Sequence, residues 1–394
     1  MQPRPESRLD AYPQRAVKGA SSPGVVVLAL AVAAGAAGCG GGTPAATQER
    51  QAQLENVVNV YNWADYIGPV TIADFQAKTG IRVNYDTYDS SDLLETKLLT
   101  GRTGYDVVVP TLTKFERLAK AGAFRPLDKS LLPNLANMDP WVMRKMAGSD
   151  ADNRFAIPYM WGTVGIGYVP AQVERVLGIA TLDSWGAVFD PAFASKLAAC
   201  GIVFVDSADD VFGAALIYLG RDPNSQAEED LAAAEALLRR VQPFVRYFGT
   251  GQAINDLASG EICVWIGYNG DVVRARARGA QALTPVQVAY ANPREGSMLW
   301  LDAVAIPADA PNPENAHAFL NYLMEPEVIA AISGELGYAH GNTAALAVMD
   351  ESLTRDPAIY PPMDSVEGLH LQRAHTATFL RALNRAWTRI KAGL

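Results

Sequence analysis

Acidic and aromatic side chains stand next to each other at several points of the sequence, a combination that could bind a cation. Trp63, Asp65 and Tyr66 lie in the segment YNWADYI, directly after a short apolar run. Aromatic faces attract cations, and a carboxylate accepts charge-assisted hydrogen bonds from ammonium groups. In α/β proteins ligands collect at the carboxyl ends of strands, where this segment is expected. The alternative is a turn whose aromatic side chains pack into the core.

The same pairing recurs at Tyr268 with Asp271 and at Trp300 with Asp302. Asp302 is the least expected of these residues, because it interrupts the apolar run MLWLDAVAIP. A carboxylate inside an apolar strand is costly unless it is paired. Asp271 follows an Asn-Gly pair and could instead serve a turn or a helix cap, and Trp300 could be part of the core.

Motifs of catalysis are missing from the sequence. It has no phosphate-binding loop, no nucleophile elbow, no zinc-protease motif and no strand-linked dinucleotide-binding motif. The histidines, which show no metal-ligand spacing, are His317, His340, His370 and His375. We therefore predict neither an enzyme nor a cofactor or metal site.

Length and charge narrow the class of protein further. A chain of 394 residues is long enough for two domains with sizeable cores. The formal net charge is −9, which argues against a nucleic-acid partner and mildly favours a cationic one.

The beginning of the chain has the pattern of an export signal. A basic stretch precedes a continuous apolar run at residues 25–37, which is too short for a comfortable membrane span. The run ends in Ala-Ala-Gly before Cys39, which resembles a bacterial lipoprotein signal, although ordinary signal-peptidase cleavage is the alternative. We predict a signal peptide at residues 1–38, lipidation of Cys39 and a tether at residues 39–55. An exported chain is expected to oxidise Cys200 and Cys263 to a disulfide, with two buried thiols as the alternative.

Strand and helix signals alternate from residue 57 onward. Apolar runs at residues 57–61, 81–85 and 105–110 are each followed by a helical segment, and the pattern resumes at residue 202. Capping-box spacing joins Asp92 to Glu95 and Thr113 to Glu116. Asp210 has this spacing from Ser207, so the helix dipole would favour it there without any ligand. We predict an α/β protein with doubly wound mixed sheets and helices on both faces.

Several segments together resemble one family. YNWADYI, RTGYDVVVP, PYMWGTVGIGY, YLGRDPNS, INDLASGEICVWIGYNGDV, LDAVAIPADA and IYPP are similar to the periplasmic polyamine-binding proteins of bacterial ABC importers. The likeness covers residues 57–391. It implies a two-lobed type II solute-binding fold that closes on putrescine or spermidine and delivers it to a membrane permease. A sensor that reports polyamine to a membrane receptor is the alternative.

The resemblance also implies lobe boundaries and site residues. The chain would cross between lobes near Met160 and Trp300, with lobe 1 at residues 56–160 and 302–330 and lobe 2 at residues 161–301 and 331–394. It implies a disulfide between Cys200 and Cys263 and a monomer. The implied ligand-binding residues are Trp63, Asp65, Tyr66, Thr111, Asp210, Tyr268, Asp271, Trp300, Asp302 and Tyr338.

Three positions depart from the family's usual pattern. Ala64 stands where a hydroxyl is common, Asp210 where the putrescine binder has glutamate, and Tyr268 where it has tryptophan. These changes bear on ligand length, and the resemblance favours putrescine over spermidine.

Overall fold

The structure, a computed structural model, describes residues 56–362 and 366–394. The predicted signal peptide, Cys39 and tether lie outside these residues. The strands of the described part are β1 (Val57–Trp63), β2 (Arg82–Tyr88), β3 (Val107–Val108), β4 (Ala156–Tyr168), β5 (Ile202–Phe204), β6 (Val245–Phe248), β7 (Val264–Tyr268), β8 (Ala289–Ala291), β9 (Ser297–Ala305), β10 (Ala339–His340) and β11 (Leu369–Leu371).

Helices follow most strands, as the alternating sequence pattern predicts. They are α1 (Thr71–Thr79), α2 (Ser91–Thr100), α3 (Leu112–Lys120), α4 (Pro140–Ala147), α5 (Pro170–Leu177), α6 (Gly186–Phe189), α7 (Pro191–Leu197), α8 (Ala208–Tyr218), α9 (Glu228–Val241), α10 (Gly251–Ser259), α11 (Asn269–Gln281), α12 (Pro313–Leu323), α13 (Pro326–Leu336), α14 (Glu351–Thr354) and α15 (Ala377–Ala392). Among the described residues, no helix has both the length and the apolar character needed to cross a membrane.

The strands form a mixed sheet in the order β2-β1-β3-β9-β4-β7-β5-β6. At one end β1 pairs in parallel with β2 and β3, and at the other β5 pairs in parallel with β6 and β7. Strands β9 and β4 lie antiparallel between these two sets. The predicted α/β class with a mixed sheet is therefore observed.

Strands β4 and β9 connect the two parallel sets. The register between them shifts between Pro158 and Trp161, and only the later residues of β4, from Val164 onward, pair with β7. Strand β9 pairs with β3 through Ala305. Both expected crossings, near Met160 and Trp300, fall on this pair of strands.

Each parallel set packs against its own helices. Val58, Phe75 and Phe319 lie in a core beside β1, to which Ile332 and Leu336 also contribute although the expected lobe 1 ended at residue 330. A separate core beside β5 contains Trp185, Phe189 and Phe204, all fully buried. The last helix, α15, docks on that second core through Leu383, Trp387 and Ile390.

Two local predictions were wrong in their details. Helix α2 begins after Ser90, and Glu95 pairs with Lys114 and Arg117 of α3 at 3.0 and 2.8 Å rather than capping α2. Helix α3 begins after Thr111, so Thr113 is not its cap. Glu95 is taken up by ion pairs between helices, which local spacing does not reveal, and Glu116 by an ion pair with Lys120 of its own helix.

Strand β3 is shorter than the predicted run at residues 105–110. Asp106 is fully buried and accepts backbone N–H groups of Asn59 and Asn312 at 2.8 and 2.6 Å. Pro110 has no N–H to donate. The strand is therefore confined to Val107–Val108.

The predicted disulfide is present. Cys200 and Cys263 are bonded, with a Cα–Cα distance of 5.4 Å, and both are buried. The bond joins the segment before β5 to the segment before β7, which are adjacent in the sheet.

Candidate functional site

All the predicted ligand-binding residues line one cavity of about 330 Å³. They come from the ends of β1 and β7, from β9, from the residues at the start of α3, α8 and α11, and, for Tyr338, from the segment between α13 and β10. The complete lining is Trp63, Ala64, Asp65, Tyr66, Thr111, Asp210, Tyr268, Asp271, Arg274, Trp300, Asp302, Leu336, Tyr338 and Gln372. The parallel strands end here, as expected for a ligand site of an α/β sheet.

The segment after β1 turns sharply into the cavity. Asp65 has a φ of 52°, a left-handed conformation that aspartate tolerates better than most residues, and its side chain is exposed. The turn buries the next residue, Tyr66, whose ring meets Tyr159 edge-on at 5.4 Å. Thr111, at the start of α3, bridges to Asp302 of β9 and so joins the two walls.

Asp302 is a buried acid without a cationic partner in the described part of the chain. Its carboxylate is 6% exposed and accepts a hydrogen bond of 2.7 Å from the Tyr66 hydroxyl through Oδ2. Oδ1 has no hydrogen-bond partner among the described residues. Burial raises the pKa of Asp302 to about 7, against the opposing effect of the Tyr66 hydrogen bond. A buried carboxylate with a free oxygen is suited to receive a cation.

Asp210 fits both explanations of its position, the capped start of a helix and the ligand site. Its N–H donates to the Ser207 hydroxyl at 3.4 Å, so Ser207 caps α8 as the spacing predicts. Its carboxylate, however, points into the cavity and accepts from Tyr268 at 2.8 Å and from Gln372. Burial raises the pKa of Asp210 to about 6. Like those of Asp302, its hydrogen-bond donors among the residues described are neutral.

Asp271 differs from Asp210 and Asp302 because it has a cationic neighbour. It lies in the first turn of α11, is 4% exposed, and forms an ion pair with Arg274 of the next turn. The hydroxyl of Tyr338 also donates to Asp271, at 3.3 Å.

Aromatic rings form the rest of the wall. Trp300 meets Tyr338 edge-on at 4.9 Å and Tyr268 edge-on at 6.3 Å, while Trp63 packs against Tyr88 at 4.6 Å. Trp63 and Trp300 are both partly exposed, and their indole Nε1 groups have no partner among the described residues. These rings can cover the methylene groups of a ligand.

Sequence reasoning missed Arg274 and Gln372. Arg274 lies in a basic stretch of α11 that is typical of a solvated helix face, and only its spacing of three residues from Asp271 could have indicated an ion pair. Gln372 follows β11, and no local motif marks it. Its N–H donates to the Leu299 carbonyl at 3.0 Å, which brings the C-terminal segment to the cavity.

A metal ion has no evident place in this arrangement. Among the residues described, no group of histidine, cysteine and acidic side chains could hold one. The site offers carboxylates and aromatic rings, which suit a cation with apolar surface.

The fold and the cavity define an extracytoplasmic solute-binding protein. Residues 71–361 match the family described as bacterial extracellular solute-binding protein, and the chain belongs to that family. The family is one of binding proteins, in agreement with the prediction that the chain is not an enzyme.

The relatives refine this assignment. The chain is 45% identical to the putrescine-binding periplasmic protein PotF of Escherichia coli (strain K12), over 86% of this chain and 92% of PotF. It is 44% identical to the putrescine-binding periplasmic protein SpuD of Pseudomonas aeruginosa (strain UCBPP-PA14), over 94% of this chain and 98% of SpuD. A crystal structure of the spermidine/putrescine ABC transporter substrate-binding protein PotD from Streptococcus pneumoniae superposes with a TM-score of 0.76 at 25% identity, covering 86% of this chain and 99% of PotD. The periplasmic-binding-protein-like fold predicted from the sequence is thereby confirmed.

Proposed function

We propose that the protein captures a polyamine, putrescine in preference to spermidine, and delivers it to the permease of an ABC transporter. The observation that carries the proposal is the pair Asp210 and Asp302, two buried carboxylates with only neutral hydrogen-bond donors, in a cavity walled by aromatic rings. Aliphatic amines stay protonated at neutral pH, with a pKa of about 10.4 for lysine, and need carboxylate partners after leaving water. The names of PotF and SpuD support the same ligand class.

The cavity residues divide into two ends and a middle. Asp302 receives one ammonium group, and Asp210 with Asp65 receives the other, while Asp271 is paired with Arg274 in the same cavity. Trp63, Tyr268 and Trp300 cover the methylene chain between them. Tyr66 and Tyr338 orient the acids, and Thr111 contributes a hydroxyl at the rim.

The energetics require the charged contacts. Burying a CH₂ group contributes roughly 0.8 kcal/mol, so the four of putrescine give about 3 kcal/mol. Micromolar affinity corresponds to about −8 kcal/mol, and the ammonium contacts and closure of the cleft must supply the remainder.

The proposal includes two lobes that close on the ligand. Strands β4 and β9 are the crossings, because they pair with each other while β4 also pairs with β7 of one parallel set and β9 with β3 of the other. Core packing supports assigning residues 331–345 to lobe 1, since Ile332, Leu336 and Ala345 belong to the core that contains Val58. The remainder of the division follows the boundaries near residues 160 and 301.

We further propose that the mature protein is a monomer anchored to the membrane through a lipid on Cys39. The sequence Ala-Ala-Gly-Cys supports the anchor. A Cys39→Ala variant should move from the membrane fraction to the soluble extracytoplasmic fraction, and light scattering should give the mass of one chain. A membrane-bound Cys39→Ala protein would contradict the lipid anchor.

Calorimetry tests the ligand. The body of the protein, from residue 49 onward, is titrated with putrescine, cadaverine, agmatine, spermidine and spermine at pH 8. Micromolar or tighter binding of putrescine, and weaker binding of spermidine, is expected. If none of these amines binds, the proposed function is wrong.

A further inference from the structure

We propose that Arg274 sets the number of charges on the preferred ligand, by neutralising Asp271 and thereby favouring a diamine over a triamine. The inference rests on the proposed polyamine function and concerns the specificity of that same site. Arg274 is outside every motif that predicts the cavity, yet it is part of the lining.

The first step is the charge of the cavity wall. Asp210, Asp271 and Asp302 are all buried, and Asp271 alone of these has a basic partner, Arg274. Asp302 accepts from Tyr66, and Asp210 from Tyr268 and Gln372, all of which are neutral. Two buried acids of the cavity, Asp210 and Asp302, therefore lack a cationic partner among the described residues, as many as the ammonium groups of a diamine.

The second step is that the charge of Arg274 is permanent. A guanidinium does not lose its proton in proteins, and the nearby carboxylate of Asp271 raises its pKa further, against the opposing effect of burial. The side chain is 40% exposed, but its Nε is buried without a partner among the described residues. Nε can only donate, so this part of the wall suits a water molecule or another acceptor and not an ammonium group.

The third step is that size does not exclude a triamine. At roughly 30 Å³ for each water molecule, a cavity of about 330 Å³ holds about ten water-sized groups. Spermidine has about as many non-hydrogen atoms, so the cavity has room for it. Near Asp271, a third ammonium group would meet a carboxylate that is already paired with a cation. It would also be repelled by the positive charge of Arg274.

Four proteins, titrated with putrescine and spermidine by calorimetry at low salt, test the inference. They are the wild type, Arg274→Gln, Arg274→Lys and Arg278→Gln. Arg278 is the matched control, because it lies one turn further along α11, is exposed, and bonds Asn255 at 2.7 Å outside the cavity. Arg274→Gln is expected to improve spermidine affinity relative to putrescine by about tenfold or more, because a third buried carboxylate becomes available. Arg274→Lys and Arg278→Gln should keep the wild-type ratio.

The outcomes separate this inference from the function on which it rests. If the wild type binds putrescine and the ratio in Arg274→Gln equals that of the wild type, the inference is wrong and the polyamine function stands. If the wild type binds neither amine, the proposed function itself has failed. Thermal unfolding of each variant checks folding, and Arg274→Met, which removes the charge but keeps an apolar stem, replaces Arg274→Gln if that variant does not fold.

Discussion

Replacing Asp302 by asparagine separates the effect of the buried acid on folding stability from its effect on ligand binding. The substitution keeps the shape of the side chain and an acceptor for the Tyr66 hydroxyl but removes the charge. Ionising a carboxyl whose pKa rises from 3.8 to about 7 on folding costs about 4 kcal/mol at pH 7 and above. Ligand-free Asp302→Asn should therefore be as stable as the wild type, or more stable by up to about 4 kcal/mol.

The same substitution should weaken polyamine binding strongly. Removing one partner of a desolvated charge pair costs about 2 to 5 kcal/mol, which is roughly 30-fold to several thousand-fold in the dissociation constant. Calorimetry at pH 8 gives the affinity, and urea unfolding without ligand gives the stability. A matched control is Asp150→Asn, because Asp150 is likewise buried and its Oδ1 has no partner among the described residues. Asp150 lies outside the cavity lining and accepts backbone N–H groups of Phe155 and Ala156.

Two results would refute this reasoning. Affinity in Asp302→Asn that stays within twofold of the wild type for every polyamine tested would mean that the acid is structural. Loss of the folding transition in Asp302→Asn would mean that the carboxylate stabilises the fold, contrary to its raised pKa. Asp150→Asn should retain wild-type affinity whatever its effect on stability.

The remaining predictions concern pH, the tryptophans and the disulfide. Because the folded-state pKa values of Asp302 (about 7) and Asp210 (about 6) lie above 3.8, their ionisation destabilises the ligand-free protein above pH 7, and this destabilisation is relieved as the pH falls from about 7 to about 4. Polyamine affinity should fall over the same interval, by up to about tenfold per pH unit for each acid, and calorimetry should find a shallower fall in Asp302→Asn. Trp63→Ala and Trp300→Ala should reduce affinity in calorimetry while thermal unfolding stays cooperative, whereas truncating a core aromatic costs about 3 to 5 kcal/mol; a lost transition would assign that tryptophan to the core. The double substitution of Cys200 and Cys263 by serine should lower the unfolding free energy by about 4 kcal/mol in the chain-entropy model for a separation of 63 residues, with affinity unchanged; equal stability in urea would contradict it.

Local sequence signals predicted the elements well where their causes are local. Helix α1 ends at Gly80, whose φ of 71° closes the helix with a hydrogen bond to Gln76. Ser207 caps α8 as its spacing indicates. Where acids found partners on another helix, as Glu95 did with Lys114, the same spacing misled.

The sequence by itself determined which acids needed an explanation. Asp302 stands out in an apolar strand because a carboxylate there has no turn or capping role, and a resemblance spread along the chain supplied the other cavity residues. Both signals are present in the order of the amino acids.

Only the tertiary structure decided how the charges of the cavity are paired. It directs the carboxylate of Asp210 to Tyr268 and Gln372 although its N–H serves the cap, and it sets Arg274 against Asp271. The physical reason is the distance along the sequence over which each interaction acts. Capping and hydrophobic periodicity act within a few residues, whereas Gln372 reaches Asp210 only because the sheet places β11 beside β9. Which buried acids remain free for a ligand is therefore a property of the folded chain.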